Sequence, residues 1–252
     1  MIKLFKSIRR KLLTENRFNK YLLYAIGEII LVVIGILIAL GINNWNENRK
    51  SSIQEVEVLK SLRNNLQQAE KQSKALINHE TEVKQILIES INTANENNRY
   101  HTKQITDSIF KIAVWDLQRD LPTLTTYLNL KNTNQLGLIK NKVISEKFTQ
   151  LDFKYNRLSD ILNDRLNVQE IRIDNISENE INFIPLIKSE IPEIDSANEI
   201  ATDYIEILKD KNVRNLLGMK LTLTQDILTR RLELDTEIKE LLQLIDAQLK
   251  IR

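Results

Sequence analysis

The most apolar stretch of the chain lies near its N-terminus and is long enough to cross a bilayer. Residues 21–42 (YLLYAIGEIILVVIGILIALGI) contain one ionisable side chain, that of Glu28. At about 1.5 Å per helical residue these 22 residues reach about 33 Å, which exceeds a hydrocarbon core of about 30 Å. The pattern therefore predicts a transmembrane helix over residues 21–42.

A secretory signal peptide is the alternative interpretation of this segment. The apolar core of a signal peptide usually spans about 7 to 15 residues and ends at a small-x-small site, a pattern that residues 39–41 match. The run is longer than such a core and contains Tyr24 and Glu28, which favours an uncleaved anchor. Cleavage after Gly41 remains an open alternative from the sequence.

Beyond the span, apolar residues recur at intervals of three and four, the period of amphipathic and coiled-coil helices. Only three prolines occur in the chain, Pro122, Pro185 and Pro192, so long uninterrupted helices are allowed. In the first long helix Ser73 and Glu80 interrupt the apolar stripe at stripe positions. We predict long helices over about residues 46–91, 141–180 and 212–250, a shorter helix over about 105–117, and a connector over about 184–200.

These elements predict an all-α fold, in which one N-terminal transmembrane helix is followed by an antiparallel bundle of long helices within residues 43–252. Residues 43–48 are rich in asparagine, a poor helix former, and predict a soft collar after the span. Asn141 and Asp210 each precede a long helix within similar short stretches and are predicted N-caps. Gly218 inside the last helix costs about 1 kcal/mol relative to alanine, which indicates close packing there.

Charge is distributed unevenly about the span. Residues 1–20 contain seven Lys or Arg and one acidic residue, whereas the whole chain has a formal net charge of +2. By the positive-inside rule the N-terminal flank stays in the cytoplasm, and the chain after about residue 46 lies on the far side of the membrane. Tyr21 and Tyr24 at one end and Trp45 at the other match the aromatic belts of membrane interfaces. The basic residues predicted to contact lipid and to set topology are Lys3, Lys6, Arg9, Arg10, Lys11, Arg17 and Lys20.

Residues 1–20 also form a basic amphipathic arm on a helical wheel. Such a helix lies in the headgroup plane and is attracted to anionic lipid, so the bilayer is the first expected partner. A role in topology alone explains the same charges. Nucleic-acid binding is not expected, because charges beside a bilayer need no other explanation.

The sequence contains no pattern typical of catalysis or of metal binding. It has no cysteine, its two histidines, His79 and His101, lie outside any HExxH or Ser-His-Asp setting, and its five glycines are scattered singly. We therefore expect a protein that is not an enzyme. No catalytic residue, metal site, cofactor or small-molecule substrate is predicted.

Glu28 gives the span a polar face. It lies seven residues into the span, where a charge is penalised by up to a few kcal/mol. Gly35 and Ala39 lie within about 20° of Glu28 on a helical wheel, and small residues four apart let another helix approach closely. We predict that Glu28, Val32, Gly35 and Ala39 form a packing surface, in a homo-oligomer or against another membrane or envelope protein. Alternatively, Glu28 reaches the cytoplasmic headgroups or is protonated.

The anchor also carries a family resemblance. Residues 20–47 (KYLLYAIGEIILVVIGILIALGINNWNE), after the basic start MIKLFKSIRRKLL, resemble the N-terminal signature of an uncharacterised family of single-pass membrane proteins frequent in Bacteroidota. LGLIKNKVI and ILKDKNVRNLL are similar to the recurring helix starts of that family. The resemblance implies an inner-membrane protein whose helical region faces the periplasm, and it implies no activity, cofactor or substrate.

Two functional classes follow from these observations. The first is a membrane-anchored, non-enzymatic scaffold or assembly factor of the cell envelope. The second is a signal or force transducer that uses the intramembrane Glu28 in a proton-linked complex. Glu28 lies nearer the cytoplasmic surface than a mid-membrane proton relay requires, and no mixed α/β peptidoglycan-binding pattern follows the span. The first class is therefore favoured.

Overall fold

The computed structural model describes residues 18–93, 105–188, 190–200 and 202–251. Most of the predicted basic arm and His101 lie outside these ranges. Of Lys20, Tyr21 and Tyr24 only the backbone is described. The arm residues outside the described ranges are Lys3, Lys6, Arg9, Arg10, Lys11 and Arg17.

Every regular element in the described residues is helical, so the fold is all-α as predicted. A 3₁₀ turn, Gln135–Leu138, precedes the fourth helix, and a π-helical turn, Gln169–Ile173, follows it. The helices are α1 Phe18–Thr93, α2 Asp107–Trp115, α3 Thr125–Asn132, α4 Lys142–Val168, α5 Asp174–Asn179, α6 Phe183–Ile187, α7 Tyr204–Lys209 and α8 Lys211–Lys250.

The predicted soft collar is wrong, because residues 43–48 are helical and belong to α1. An asparagine inside a helix costs at most about 0.7 kcal/mol relative to alanine, which a long helix tolerates. The prediction for residues 141–180 is confirmed as α4, the π-helical turn and α5, and the prediction for 212–250 is confirmed as α8. The sequence pattern missed α3 and α7, which are too short to show a clear period.

The contacts divide the chain into two units, Met1–Glu57 and Val58–Arg252. The first contains a candidate membrane span: its most apolar 18-residue window has a mean hydropathy of 2.8, and none of that window is buried. Trp45 is also exposed. The long, apolar and uncovered helix is the part of the molecule that a bilayer would accommodate.

The second unit is a helical bundle in which α8 runs antiparallel to both α1 and α4. Arg63 of α1 pairs with Asp246 near the end of α8, whereas Arg214 near its start donates to the carbonyl oxygen of Ile91. Along α4, Lys147 pairs with Glu240 and Lys154 pairs with Glu237, so later residues of α4 face earlier residues of α8.

The chain segment that connects α1 to α4 completes the bundle. It consists of α2, an extended strap (residues 116–124) and α3. Val114 at the end of α2 contacts Lys220 of α8, Thr123 of the strap contacts Gln72 of α1, and Tyr127 of α3 stacks on Phe148 of α4. The chain therefore passes along the bundle four times in alternating directions, and one pass is interrupted.

The bundle has two hydrophobic clusters. The first joins α1, α3, α4 and the part of α8 from Ile227 onward. The second joins α1, α2, the start of α8 and four residues that lie between α4 and α8, namely Ile173, Ile181, Leu186 and Leu208. The predicted stripe of α1 is confirmed, and its two polar members, Ser73 and Glu80, are buried with the rest. The apolar members of this stripe are Leu59, Leu62, Leu66, Ala69, Leu76, Val83 and Leu87.

Local signals at the helix starts were accurate. Asn141 accepts a hydrogen bond from the amide of Val143, and Asp210 accepts from Asn212 and Val213, so both predicted N-caps are confirmed.

The prediction of close packing at Gly218 is wrong, because a Cβ built there meets nothing within 4 Å. Gly218 lies on a partly exposed side of α8.

Candidate functional site

Between the two hydrophobic clusters lies a buried polar layer formed by Glu80 of α1, Arg165 of α4, and Lys220 and Arg231 of α8. None of these four side chains is more than 2 % exposed. A buried charge needs a partner and hydrogen bonds, because removing it from water is costly. The layer satisfies this requirement through contacts between helices that are far apart in sequence.

Arg165 pairs with Glu80. Its Nη1 donates to Oε1 of Glu80, and its Nη2 lies 3.4 Å from Oε2 of the same carboxylate. Nη2 also donates to the carbonyl oxygen of Gln118, at 2.6 Å. The guanidinium therefore links α4 to α1 and to the strap.

Arg231 approaches the same carboxylate from α8. Its Nε lies 3.4 Å from Oε2 of Glu80, while Nη1 donates to the carbonyl oxygen of Asp120 at 3.0 Å. Nη2 lies 3.4 Å from the carbonyl oxygen of Gln118. One buried carboxylate thus fixes two arginines, and both arginines hold the backbone of the strap.

Lys220, also on α8, lies about three turns before Arg231, and its Nζ donates to the carbonyl oxygen of Val114 at 2.8 Å. Burial and, to a smaller extent, the positive charge of Arg165 lower the pKa of Lys220 to about 7, although Asp116 and Glu80 oppose this shift. A shifted pKa often marks a functional group. Here the ammonium is enclosed and engaged by backbone, which indicates a structural role.

The strap explains why so many polar side chains are buried. Residues 116–124 are not helical and include Pro122, so their backbone groups lack helical partners. Asn65 supplies one of the missing bonds, since its Nδ2 donates to the carbonyl oxygen of Thr123, and its Oδ1 accepts from the amide of Thr126 in the first turn of α3. Gln72 accepts from the amide of Thr123 at 2.7 Å. Side chains of α1, α4 and α8 therefore replace the hydrogen bonds that a continuous helix would make itself.

No group of three or more Asp, Glu or His side chains within the described residues is arranged to hold a metal ion. His79 contacts Asp116, with 3.0 Å between Nε2 and Oδ1, at the margin of the polar layer. The arrangement stabilises an extended segment inside a helical bundle, and its charged groups are engaged in doing so.

The predicted packing face lies on the part of α1 that belongs to the first unit, Met1–Glu57. Glu28, Val32, Gly35 and Ala39 belong to one uninterrupted helix, so the predicted angular spacing holds for its backbone. Val32, Gly35 and Ala39 are exposed, Glu28 is partly exposed, and a Cβ built at Gly35 meets nothing within 4 Å. The part of the face formed by Val32, Gly35 and Ala39 is thus open, and the function of all four residues as a packing surface stays a prediction.

Sequence reasoning missed the polar layer, although a signal for it was present. Glu80 was recognised as an interruption of the α1 stripe. On α8, Lys220, Thr224 and Arg231 occupy the same three- and four-residue spacing as the buried apolar residues. Polar residues at stripe positions of two helices indicate a shared buried layer, but their pairing required the fold.

The comparisons with known proteins bear on α1. Residues 28–83 match the model of a family of unknown function (DUF6090). No curated protein and no solved structure matches the chain. The match begins at Glu28 and includes Glu80, and it supports the expected similarity to an uncharacterised family.

Proposed function

We propose that this protein is a membrane-anchored scaffold or assembly factor of the cell envelope. In this proposal α1 anchors it in the inner membrane of a Bacteroidota-type cell, with the N-terminal arm in the cytoplasm and the bundle in the periplasm. The proposal is supported by the candidate span, by the seven basic residues before it, and by the resemblance of the anchor. It requires no catalytic group.

The open face of the span carries the proposal. Gly35 and Ala39 allow close approach of a second helix, and Glu28 on the same face favours a protein neighbour over lipid. By contrast, the buried charges of the bundle are engaged in its own fold. Association through the span is therefore the interaction that the molecule supports best.

In-cell photocrosslinking tests this proposal. A photoreactive residue at position 32 should capture a second copy or another envelope protein, identified by mass spectrometry. Gly35→Leu should abolish the crosslink by blocking close approach, and the fold of the chain itself has room for the new side chain. Gly41→Leu is the matched control, since it lies about 140° from Glu28 on the helix and should leave the crosslink intact.

Two results would contradict the proposal. Equal loss of the crosslink in Gly35→Leu and Gly41→Leu would mean that the face has no specific role. A reporter fused to the C-terminus that is active in the cytoplasm would contradict the topology.

Signal or force transduction in a proton-linked complex is the second candidate. It is favoured by one observation, the ionisable Glu28 within an apolar helix. Replacement of Glu28 by glutamine separates the two candidates, because glutamine keeps the size and hydrogen bonding of the side chain and removes its titration.

A further inference from the structure

The segment that runs from the end of the π-helical turn into the first turn of α7 differs in charge from the helices around it. Residues 174–206, here called the acidic connector, contain nine acidic residues and one basic residue, Lys188. In comparison, α4 contains five basic and four acidic residues, and α8 contains seven and six. The nine acidic residues are all exposed: Asp174, Glu178, Glu180, Glu190, Glu193, Asp195, Glu199, Asp203 and Glu206.

The side chain of the one lysine in the connector bonds to backbone groups of the connector itself. Lys188 donates from Nζ to the carbonyl oxygen of Pro192, at 3.0 Å, and to that of Ile194. Its positive charge therefore holds the turn after α6 in place. Two of the acids have cation partners: Glu190 pairs with Lys111 of α2, and Glu206 pairs with Lys209 of α7. The outward surface remains predominantly negative.

The connector also exposes apolar side chains. Its inner residues Ile181 and Leu186 are buried in the second hydrophobic cluster, and Phe183 packs edge-on against Trp115 with 5.2 Å between ring centroids. Its outer isoleucines are exposed, Ile200 most of all, with 82 % of its surface accessible. The other exposed isoleucines are Ile184, Ile191 and Ile205.

Hydrogen bonds bring part of this apolar surface together. Asn182 donates from Nδ2 to Oε2 of Glu199, at 2.8 Å, and to the carbonyl oxygen of Ile200, at 3.1 Å. The start of α6 therefore lies beside residues 199 and 200. Phe183 and Ile184, which directly follow Asn182 in the chain, and Ile200 are all exposed.

The chemistry of this surface restricts what it binds. Anionic lipid and nucleic acid both carry negative charge and would be repelled by the carboxylates. An amphipathic helix with a basic face matches both features, since its apolar stripe covers the isoleucines and its Lys or Arg residues pair with the carboxylates. Exposed apolar surface surrounded by charge of one sign is typical of an interaction site.

We propose that the acidic connector is a docking surface for a basic amphipathic segment of another envelope protein. The inference names the chemistry of a partner and in that respect rests on the proposed scaffold function. It uses a surface separate from the open face of the span.

Binding of designed peptides to the full-length chain in nanodiscs of zwitterionic lipid tests the inference, with empty nanodiscs as the blank. The probe is an amphipathic Leu/Lys peptide of about five helical turns, and a Leu/Glu peptide with the same apolar face is its control. We expect saturable binding of the basic peptide that weakens as ionic strength rises, because salt screens exposed charges. Equal binding of the acidic peptide would overturn the inference.

Matched variants locate the binding surface. Glu178, Glu180 and Glu193 are suitable for joint replacement by glutamine because, within the described part of the chain, no hydrogen bond or ion pair of the fold depends on them. This variant should bind the basic peptide about tenfold more weakly, and Ile200→Ser should weaken binding as well. The control neutralises three exposed acids of α4, by Glu146→Gln, Asp160→Asn and Asp164→Asn, and should bind as the wild type does. Equal weakening in both triple variants would refute a role for the connector.

In-cell crosslinking keeps the two proposals distinguishable. A crosslink from position 32 without peptide binding to the connector would leave the scaffold function standing and reject the docking surface. Peptide binding that depends on the connector, without any envelope partner in cells, would reject the scaffold function instead.

Discussion

Two acidic residues interrupt apolar patterns on the same helix, and their surroundings differ. Glu80 is buried between helices, where Arg165 and Arg231 contact its carboxylate. Glu28 lies on a helix face whose neighbouring members, Val32, Gly35 and Ala39, are exposed. Both positions look alike in sequence, as one acid within a stripe of aliphatic residues.

The comparison shows that an acidic residue within an apolar stripe indicates an interaction. The stripe alone does not indicate whether the interacting partner belongs to the same chain. The partners of Glu80 lie 85 and 151 residues away in the sequence, and they connect it to the strap. Beside Glu28, by contrast, Val32, Gly35 and Ala39 are exposed on the same helix face, where another helix could approach.

The largest effect is expected from Arg231→Met. The substitution removes one of the two cations beside Glu80 and leaves the carbonyl oxygen of Asp120 without its charged donor. Breaking a buried ion pair by removing one partner typically costs about 3–5 kcal/mol. Urea unfolding of the full-length protein in detergent micelles, followed by far-UV circular dichroism, measures the loss of bundle stability.

Arg230 provides the control in the adjacent position of α8. Its guanidinium pairs with Glu233, one turn away, and its side chain is 29 % exposed. Arg230→Met should change the unfolding free energy by no more than about 0.5 kcal/mol, as expected for a surface pair within one helix. Similar losses of unfolding free energy in Arg231→Met and Arg230→Met would contradict the stabilising role assigned to the buried polar layer.

A smaller effect is expected from Asn65→Leu. The change leaves the carbonyl oxygen of Thr123 and the amide of Thr126 without their side-chain partner. These backbone groups are part-buried, so their loss of a partner should cost about 1 kcal/mol, the low end for an unsatisfied group, and the strap should exchange its amide hydrogens faster. Hydrogen exchange read by mass spectrometry over residues 116–126 measures this, with Asn64→Leu as the exposed control. Unchanged exchange in Asn65→Leu would contradict the role assigned to Asn65.

The pH dependence of stability tests the environment of Lys220. Its pKa is lowered from 10.5 to about 7 in the folded chain, so between these values the unfolded chain binds a proton that the folded chain does not. Stability should therefore rise by about 1 kcal/mol from pH 7 to pH 8, and this gain is lost as the pH falls through 7. Lys220→Met should remove the slope, whereas replacement of the exposed Lys211 should preserve it. If the dependence of stability on pH persists in Lys220→Met, it arises from another titrating group.

The parts of the fold that depend on local sequence were predictable. The N-caps at Asn141 and Asp210 and the bounds of α4 and α8 follow from residues within one or two turns. The strap was not predictable, because its extended backbone is stable only when Asn65, Arg165 and Arg231 supply hydrogen bonds from distant helices. The shared face of Glu28, Val32, Gly35 and Ala39 follows from helical geometry alone, so it could be predicted without knowledge of tertiary contacts.

The smallest effect on bundle stability is expected from Glu28→Gln, and it is the change that separates the two functional candidates. The polar layer around Glu80 lies in the other unit, so the unfolding free energy of the bundle should stay within about 0.5 kcal/mol of the wild type. If the span acts by packing, the crosslink from position 32 should persist in Glu28→Gln and disappear in Gly35→Leu. If the crosslink and the cellular phenotype are lost in Glu28→Gln while Gly35→Leu retains them, titration of Glu28 is the function of this face, and the transducer replaces the scaffold.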